Sequence, residues 1–190
     1  MITIRNERAA DVSAREALLD AAYGPSRFLK TSARLREGRL PADGLSFVAV
    51  EQGRIVGSIR LWQVSAGPNR PALLLGPLAV APDCRSRGVG AALVQRALRD
   101  AQQRGHAAVL LVGDAPYYGR FGFSAEKTGE LWLPGPYESS RLLAHELVPG
   151  ALDGARGLVS ATGRRGPLPD LAVLVAAQGP RTKTRARRAA

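Results

Sequence analysis

Residues 73–123 read LLLGPLAVAPDCRSRGVGAALVQRALRDAQQRGHAAVLLVGDAPYYGRFGF. An apolar run at 73–80 predicts a buried strand. A glycine-rich turn follows, Arg85-Ser86-Arg87-Gly88-Val89-Gly90. Residues 89–104 then place Val89, Leu93, Ala97 and Leu98 on one helical face, with Gln95, Arg96, Arg99, Asp100 and Gln103 on the other. Gly105 ends the helix, and residues 106–113 predict a second buried strand. Strand, helix, strand implies a parallel pair. The first N–H groups of a helix lack intrahelical partners and carry partial positive charge, so the turn suits an anion. Glycine at 88 and 90 lets a phosphate approach the backbone without a Cβ in the way. Arg85 and Arg87 add charge.

Upstream, residues 2–5 alternate as a short edge strand does. Residues 9–23 predict a helix with Val12, Leu18, Leu19 and Ala22 inward and Asp11 in its first turn. Gly24-Pro25 stops it. Ser26 is placed to cap a second helix over 27–37, with Phe28, Leu29 and Leu35 as its inner face. Residues 47–50 and 55–64 predict a hairpin about the turn at 51–54. The run at 73–80 then becomes the third strand of a meander. Downstream, 142–148 predicts a strand, Trp132 lies in a short one, and 157–161 forms a small one. A domain over 1–150 is expected, then an extension over 151–180 that packs on it, with a further apolar run at 171–177. A basic, disordered tail follows at 181–190.

Composition narrows the chemistry. The chain has 190 residues, 45% of them apolar, which suits one domain with a full core. No apolar run approaches the roughly 20 residues of a membrane span. Residues 1–19 carry charges where a signal peptide needs its apolar region, so a cytoplasmic location is expected and no membrane partner. The net charge is +11, and five basic residues fall in RTKTRARRAA at the end. That run reads as a solvated tail rather than a nucleic-acid site. The single cysteine, Cys84, has no histidine near it in sequence and reads as a small loop residue. No cluster has metal-ligand spacing, so no metal is expected. His106 and His145 read as structural.

Two glycine-loop alternatives fit poorly. A P-loop needs Gly-x-x-x-x-Gly-Lys-Ser/Thr, which does not occur. A dinucleotide fingerprint needs a third glycine where this chain has Leu93.

The order of elements, the Arg85–Gly90 turn and the run Tyr118-Gly119-Arg120-Phe121-Gly122-Phe123 together resemble the GCN5-related N-acetyltransferase (GNAT) superfamily over residues 2–150. The GPLAV run before the turn and the GDAPYY-x-RFGF run after it resemble a bacterial subgroup of mostly uncharacterised acetyltransferases. The resemblance implies an α/β (α+β) acyl-CoA N-acyltransferase fold: a mixed, mostly antiparallel central sheet with a splayed parallel strand pair, and helices on both faces. It implies acetyl-CoA as co-substrate and an amine as acceptor. The N–H groups of 87–90 would hold the CoA pyrophosphate, with Arg85, Ser86 and Tyr117 beside it. The pantetheine arm would pair with the edge at Leu78, Ala79 and Val80. Pro77 has no N–H, so the oxyanion donor falls at Leu78 or later. Tyr118 matches the family's general acid for the departing thiolate, with Tyr117 as fallback. For the base, the sequence leaves Glu51, Asp114 and a water relayed to either. Phe28, Trp62, Trp132 and Tyr137 are candidate walls of an acceptor pocket. A second reading is a non-catalytic acyl-CoA-binding or sensor module on the same fold. Monomer and homodimer are equally compatible with the sequence.

Overall fold

The computed structural model describes residues 1–167. The expected apolar run at 171–177 and the basic tail at 181–190 lie outside the described residues.

The hairpin is the frame. β2 (Ser46–Glu51) and β3 (Arg54–Ala66) pair antiparallel, closing with Glu51 opposite Arg54. The two turn residues, Gln52 (φ 50°) and Gly53 (φ 78°), both take the left-handed conformation that a tight two-residue hairpin requires. β1 (Ile2–Asn6) pairs with β2. β3 is the hub: it also pairs antiparallel with β4 (Pro71–Leu75), β5 (Ala79–Val80) and β9 (Gly157–Ala161).

The expectation of one continuous strand over 73–80 is corrected here. β4 ends with Leu75 opposite Leu61, and β5 resumes with Ala79 opposite Ser58. Three residues, Gly76, Pro77 and Leu78, thus face two, Ile59 and Arg60. This is a bulge of one residue, and it bends the strand. Its cause is local: Gly76 sits at φ 123°, and Pro77 has no N–H to give a ladder. Gly76 N–H still reaches the Arg60 carbonyl at 2.8 Å, and the Trp62 indole N–H donates to the Gly76 carbonyl at 2.7 Å.

After the bulge come α3 (Val89–Gln103) and β6 (Ala108–Val112). β4 and β6 pair in parallel only at Leu73–Val109 and Leu74–Leu110. β5 makes no pair with β6, so the two strands diverge beyond the bulge. β6 is bordered on its other side by antiparallel β8 (Leu142–Glu146). β7 (Leu131–Trp132) pairs with β9.

Helices cover both faces. A Cβ on Gly57 would stand 2.9 Å from Leu93 and 3.0 Å from Val89, so α3 lies directly on that face of β3. The close helix–sheet approach comes from a glycine on the strand, with Leu93 fully buried on the helix. Arg60 is three residues on, hence on the opposite face. It binds Glu7, which also binds Arg15 of α1 (Val12–Tyr23). The mixed, mostly antiparallel sheet with a splayed parallel pair is therefore present as expected. The second helix is not. A 3-10 turn at Pro25–Phe28 and a four-residue α2 (Thr31–Arg34) replace the helix expected over 27–37. Lys30 is extended (ψ 138°) and separates them. Ser26 turns its hydroxyl back to the Tyr23 carbonyl rather than capping a helix. Leu35 is buried, but Phe28 (64%) and Leu29 (82%) are exposed. Val12, expected to face inward on α1, is also exposed.

Candidate active site

The glycine turn opens α3 from left-handed backbone at Ser86 (φ 59°) and Gly88 (φ 77°). Gly88 is the N-cap, and no side chain caps the helix. Among the described residues, nothing lies within 4 Å of where a Gly88 Cβ would be. The two arginines differ. Arg87 is held by Glu51, with Nη2 at 2.7 Å and Nη1 at 3.1 Å from its carboxylate oxygens. Arg85 makes no ion pair among the described residues.

The diverging strands lead from this turn. Ala81 N–H donates to the Val56 carbonyl on β3. Strand alternation then directs the Ala79 N–H toward β3 as well, and turns the N–H groups of Leu78 and Val80 to the unpaired side. A Cβ on Gly90 would sit 2.8 Å from the Tyr117 hydroxyl, 3.6 Å from Val80 and 3.9 Å from Leu78. The turn, the free strand edge and Tyr117 thus converge on one spot.

Tyr118 stands on α4 (Ala115–Gly119), a single turn after β6. Asp114 starts this turn by accepting the Tyr117 N–H at 3.2 Å. Tyr118 packs edge-on against Tyr117 (centroids 4.9 Å apart) and Phe123 (5.9 Å). Burial, reinforced by the neighbouring phenols Tyr23 and Tyr117, raises its pKa well above the ordinary value, so the hydroxyl stays protonated. Every fully buried polar side-chain atom in the described residues has a partner. The Tyr118 hydroxyl has none there, so it opens to the adjoining cavity.

That cavity measures about 550 Å³ and lies between α1, the α2 segment, the bulge and the end of β6. Tyr118, Asp114, Leu78 and Gly113 line it. Tyr23 closes one side, its hydroxyl donating to the Leu78 carbonyl. The α2 segment is tied over the cavity by Thr31 to the Pro136 carbonyl and by Arg34 to that of Pro134 at 2.8 Å.

Of the expected aromatic walls, Phe28 and Trp62 line the cavity. Trp132 and Tyr137 do not: Trp132 is 53% exposed on β7, and Tyr137 donates to the Leu131 carbonyl. Glu51 is also outside, and its bond to Arg87 keeps its pKa low. Cys84 is fully buried. His145 rests against the Gly122 carbonyl at 3.0 Å, and His106 lies off the cavity with its pKa lowered by burial. Sequence reasoning missed Arg36, Arg60 and the bulge. Only the bulge had a local signal, the Gly76-Pro77 pair inside an apolar run. No helix among the described residues is long and apolar enough to cross a membrane.

The splayed parallel pair has a glycine turn at one end of its gap and a cavity at the other. The family model described as "Acetyltransferase (GNAT) family" matches residues 13–123. The N-acetyltransferase YhbS of Escherichia coli strain K12, itself uncharacterised, is 31% identical over 157 residues, covering 82% of this chain and 93% of YhbS. The crystal structure of E. coli YhbS in complex with CoA superposes with a TM-score of 0.72, covering 85% of this chain and 89% of that one. A GNAT family acetyltransferase from Brucella melitensis, solved in complex with acetyl-CoA, is 26% identical, with a TM-score of 0.63 over 85% of this chain and 96% of that one. By sequence and by fold, this chain belongs to the GNAT acetyltransferase family.

Proposed function

We propose that the chain is an acetyl-CoA-dependent N-acetyltransferase that moves the acetyl group to an amine by direct attack. The observation that carries the reading is the gap between β5 and β6, which joins an uncapped helix N-terminus to a cavity holding a protonated phenol. Bound acetyl-CoA supplies an activated thioester carbonyl. The chain's own residues do the rest. The N–H groups at 87–90 and Arg85 hold the pyrophosphate. The free N–H groups of Leu78 and Val80 bind the arm and polarise the carbonyl oxygen. The neutral amine forms the new C–N bond as the C–S bond breaks. Tyr118 gives its proton to the departing sulfur. Asp114 has one carboxylate oxygen on Tyr117 N–H and takes the amine proton through water on the other.

The test has two parts. Calorimetry is expected to find acetyl-CoA bound in the micromolar range, typical of a substrate site. An amine panel followed by CoA release is expected to find turnover that falls about 100-fold in Tyr118→Phe, with acetyl-CoA affinity unchanged. Absence of acetyl-CoA binding refutes the proposal. Binding without turnover of any amine favours a non-catalytic acyl-CoA sensor instead.

A further inference from the structure

The cavity walls are cationic. Five of the lining side chains are basic (Arg27, Lys30, Arg36, Arg60, Arg141) and three are carboxylates (Glu16, Glu37, Asp114). Most of these charges are already engaged. Arg27 binds Glu16 and Asp20. Arg60 binds Glu7. Arg141 donates to the Gly113 carbonyl at 3.3 Å and lies 4.0 Å from Glu138. Lys30 sits over the Tyr23 ring, 4.6 Å from its centroid. Glu16 is shared by Arg15 and Arg27, and Asp114 caps α4.

Arg36 is the exception. Its guanidinium makes no ion pair and no side-chain hydrogen bond among the described residues, although it is partly buried. Glu37, next in the chain, is exposed and does not pair with it. Burial lowers the Arg36 pKa to about 10, so it is still charged at neutral pH. Arg36, Tyr23 and Tyr118 line the same cavity. A partly desolvated cation without a counter-ion is costly unless a ligand supplies one. A guanidinium fork matches a carboxylate or a phosphate with two parallel hydrogen bonds.

We infer that the acceptor is a small amine whose other end carries an anionic group, carboxylate or phosphate, held by Arg36 while its nitrogen faces Tyr118. This rests on the N-acetyltransferase reading above and adds the acceptor's chemical class. The cavity volume suits a small molecule. The excess of basic side chains disfavours a second ammonium, as in a diamine.

The test compares butylamine, diaminobutane, γ-aminobutyrate and aminoethyl phosphate as acceptors for wild type, Arg36→Gln and Arg36→Lys. The wild type is expected to prefer the anionic amines, and the better of the two identifies the anion. Arg36→Gln is expected to raise KM for them about 10- to 100-fold, leaving butylamine turnover and acetyl-CoA affinity nearly unchanged. Arg36→Lys is expected to recover part of the loss. Butyrate or ethyl phosphate, which have no amine, should compete with the acceptor in the wild type, a result that needs no folded variant. Equal use of butylamine or diaminobutane overturns the inference. So does CoA-loaded protein that binds none of the anionic amines. Failure to bind acetyl-CoA at all overturns the N-acetyltransferase reading, and this inference with it.

Discussion

Gly113 lies beneath the ring of Tyr118: a Cβ at position 113 would stand 2.7 Å from Cδ2 of that ring. The end of β6 and the proposed acid are thus in direct contact, and any side chain at 113 must move the phenol. Gly113→Ala is expected to lower kcat about 10- to 100-fold, because a shift near 1 Å at a reacting group costs on that order. Acetyl-CoA affinity, proposed to be set at the far end of the gap, should change little. Steady-state kinetics beside calorimetry separates the two effects.

A second close approach joins the glycine turn to Tyr117. A Cβ on Gly90 would meet the Tyr117 hydroxyl at 2.8 Å, with no backbone atom as close. Gly90→Ala is expected to weaken acetyl-CoA binding about 10-fold. Combined with Tyr117→Phe, which removes the clashing oxygen, it should recover part of that loss. The non-additivity in a double-mutant cycle by calorimetry is the readout.

Glu7 is buried with Arg15 and also binds Arg60, so it joins α1 to β3 from beyond β1 (side-chain exposure 6% for Glu7, 5% for Arg15). Burial pushes its carboxyl pKa up, against the Arg15 guanidinium. Removing one member of such a group leaves a buried charge unpaired. Glu7→Ala is expected to destabilise the fold by about 3 kcal/mol or more, measured by denaturant unfolding. The Glu7→Ala/Arg15→Met pair should recover part of that loss.

Asp11 is one contributor to acid stability. Asp11 accepts both Arg5 nitrogens (2.6 and 2.9 Å) and the Arg8 N–H at 2.7 Å. These bonds, Arg5 first, lower its pKa from 3.8 to about 2. A carboxyl depressed in the folded state stabilises fully above its unfolded value, and that stability is lost as pH falls through the folded value. Asp11 therefore contributes above about pH 4, and its contribution fades toward pH 2. Asp11→Asn should flatten unfolding free energy against pH in this window and lower stability at neutral pH.

Local patterns in the chain carry a large part of this description. The hairpin about Gln52-Gly53, the amphipathic α3, the strand at Gly157–Ala161 and the single turn holding Tyr118 all follow from residue type and spacing within a few positions. The glycine turn and the aromatic run sit at fixed offsets from those elements, which is why the family was legible. The second helix failed for a local reason that periodicity does not detect: Lys30 is extended and separates the 3-10 turn from the short α2.

Sequence by itself determined the order of elements, the meander with its parallel crossover, and the anion-ready turn, because each is written in short-range periodicity and glycine placement. Tertiary structure decided which charges are spent. Arg87, within the turn, is taken by Glu51 on β2, 36 positions away, while Arg85 has no ion pair among the described residues. Arg60 is taken by Glu7, and Arg36, on the cavity, has no partner among the described residues. Equal residues in the sequence thus become unequal in the fold. An ion pair depends on distance through space, and only the packing of α1, α2 and β3 sets those distances.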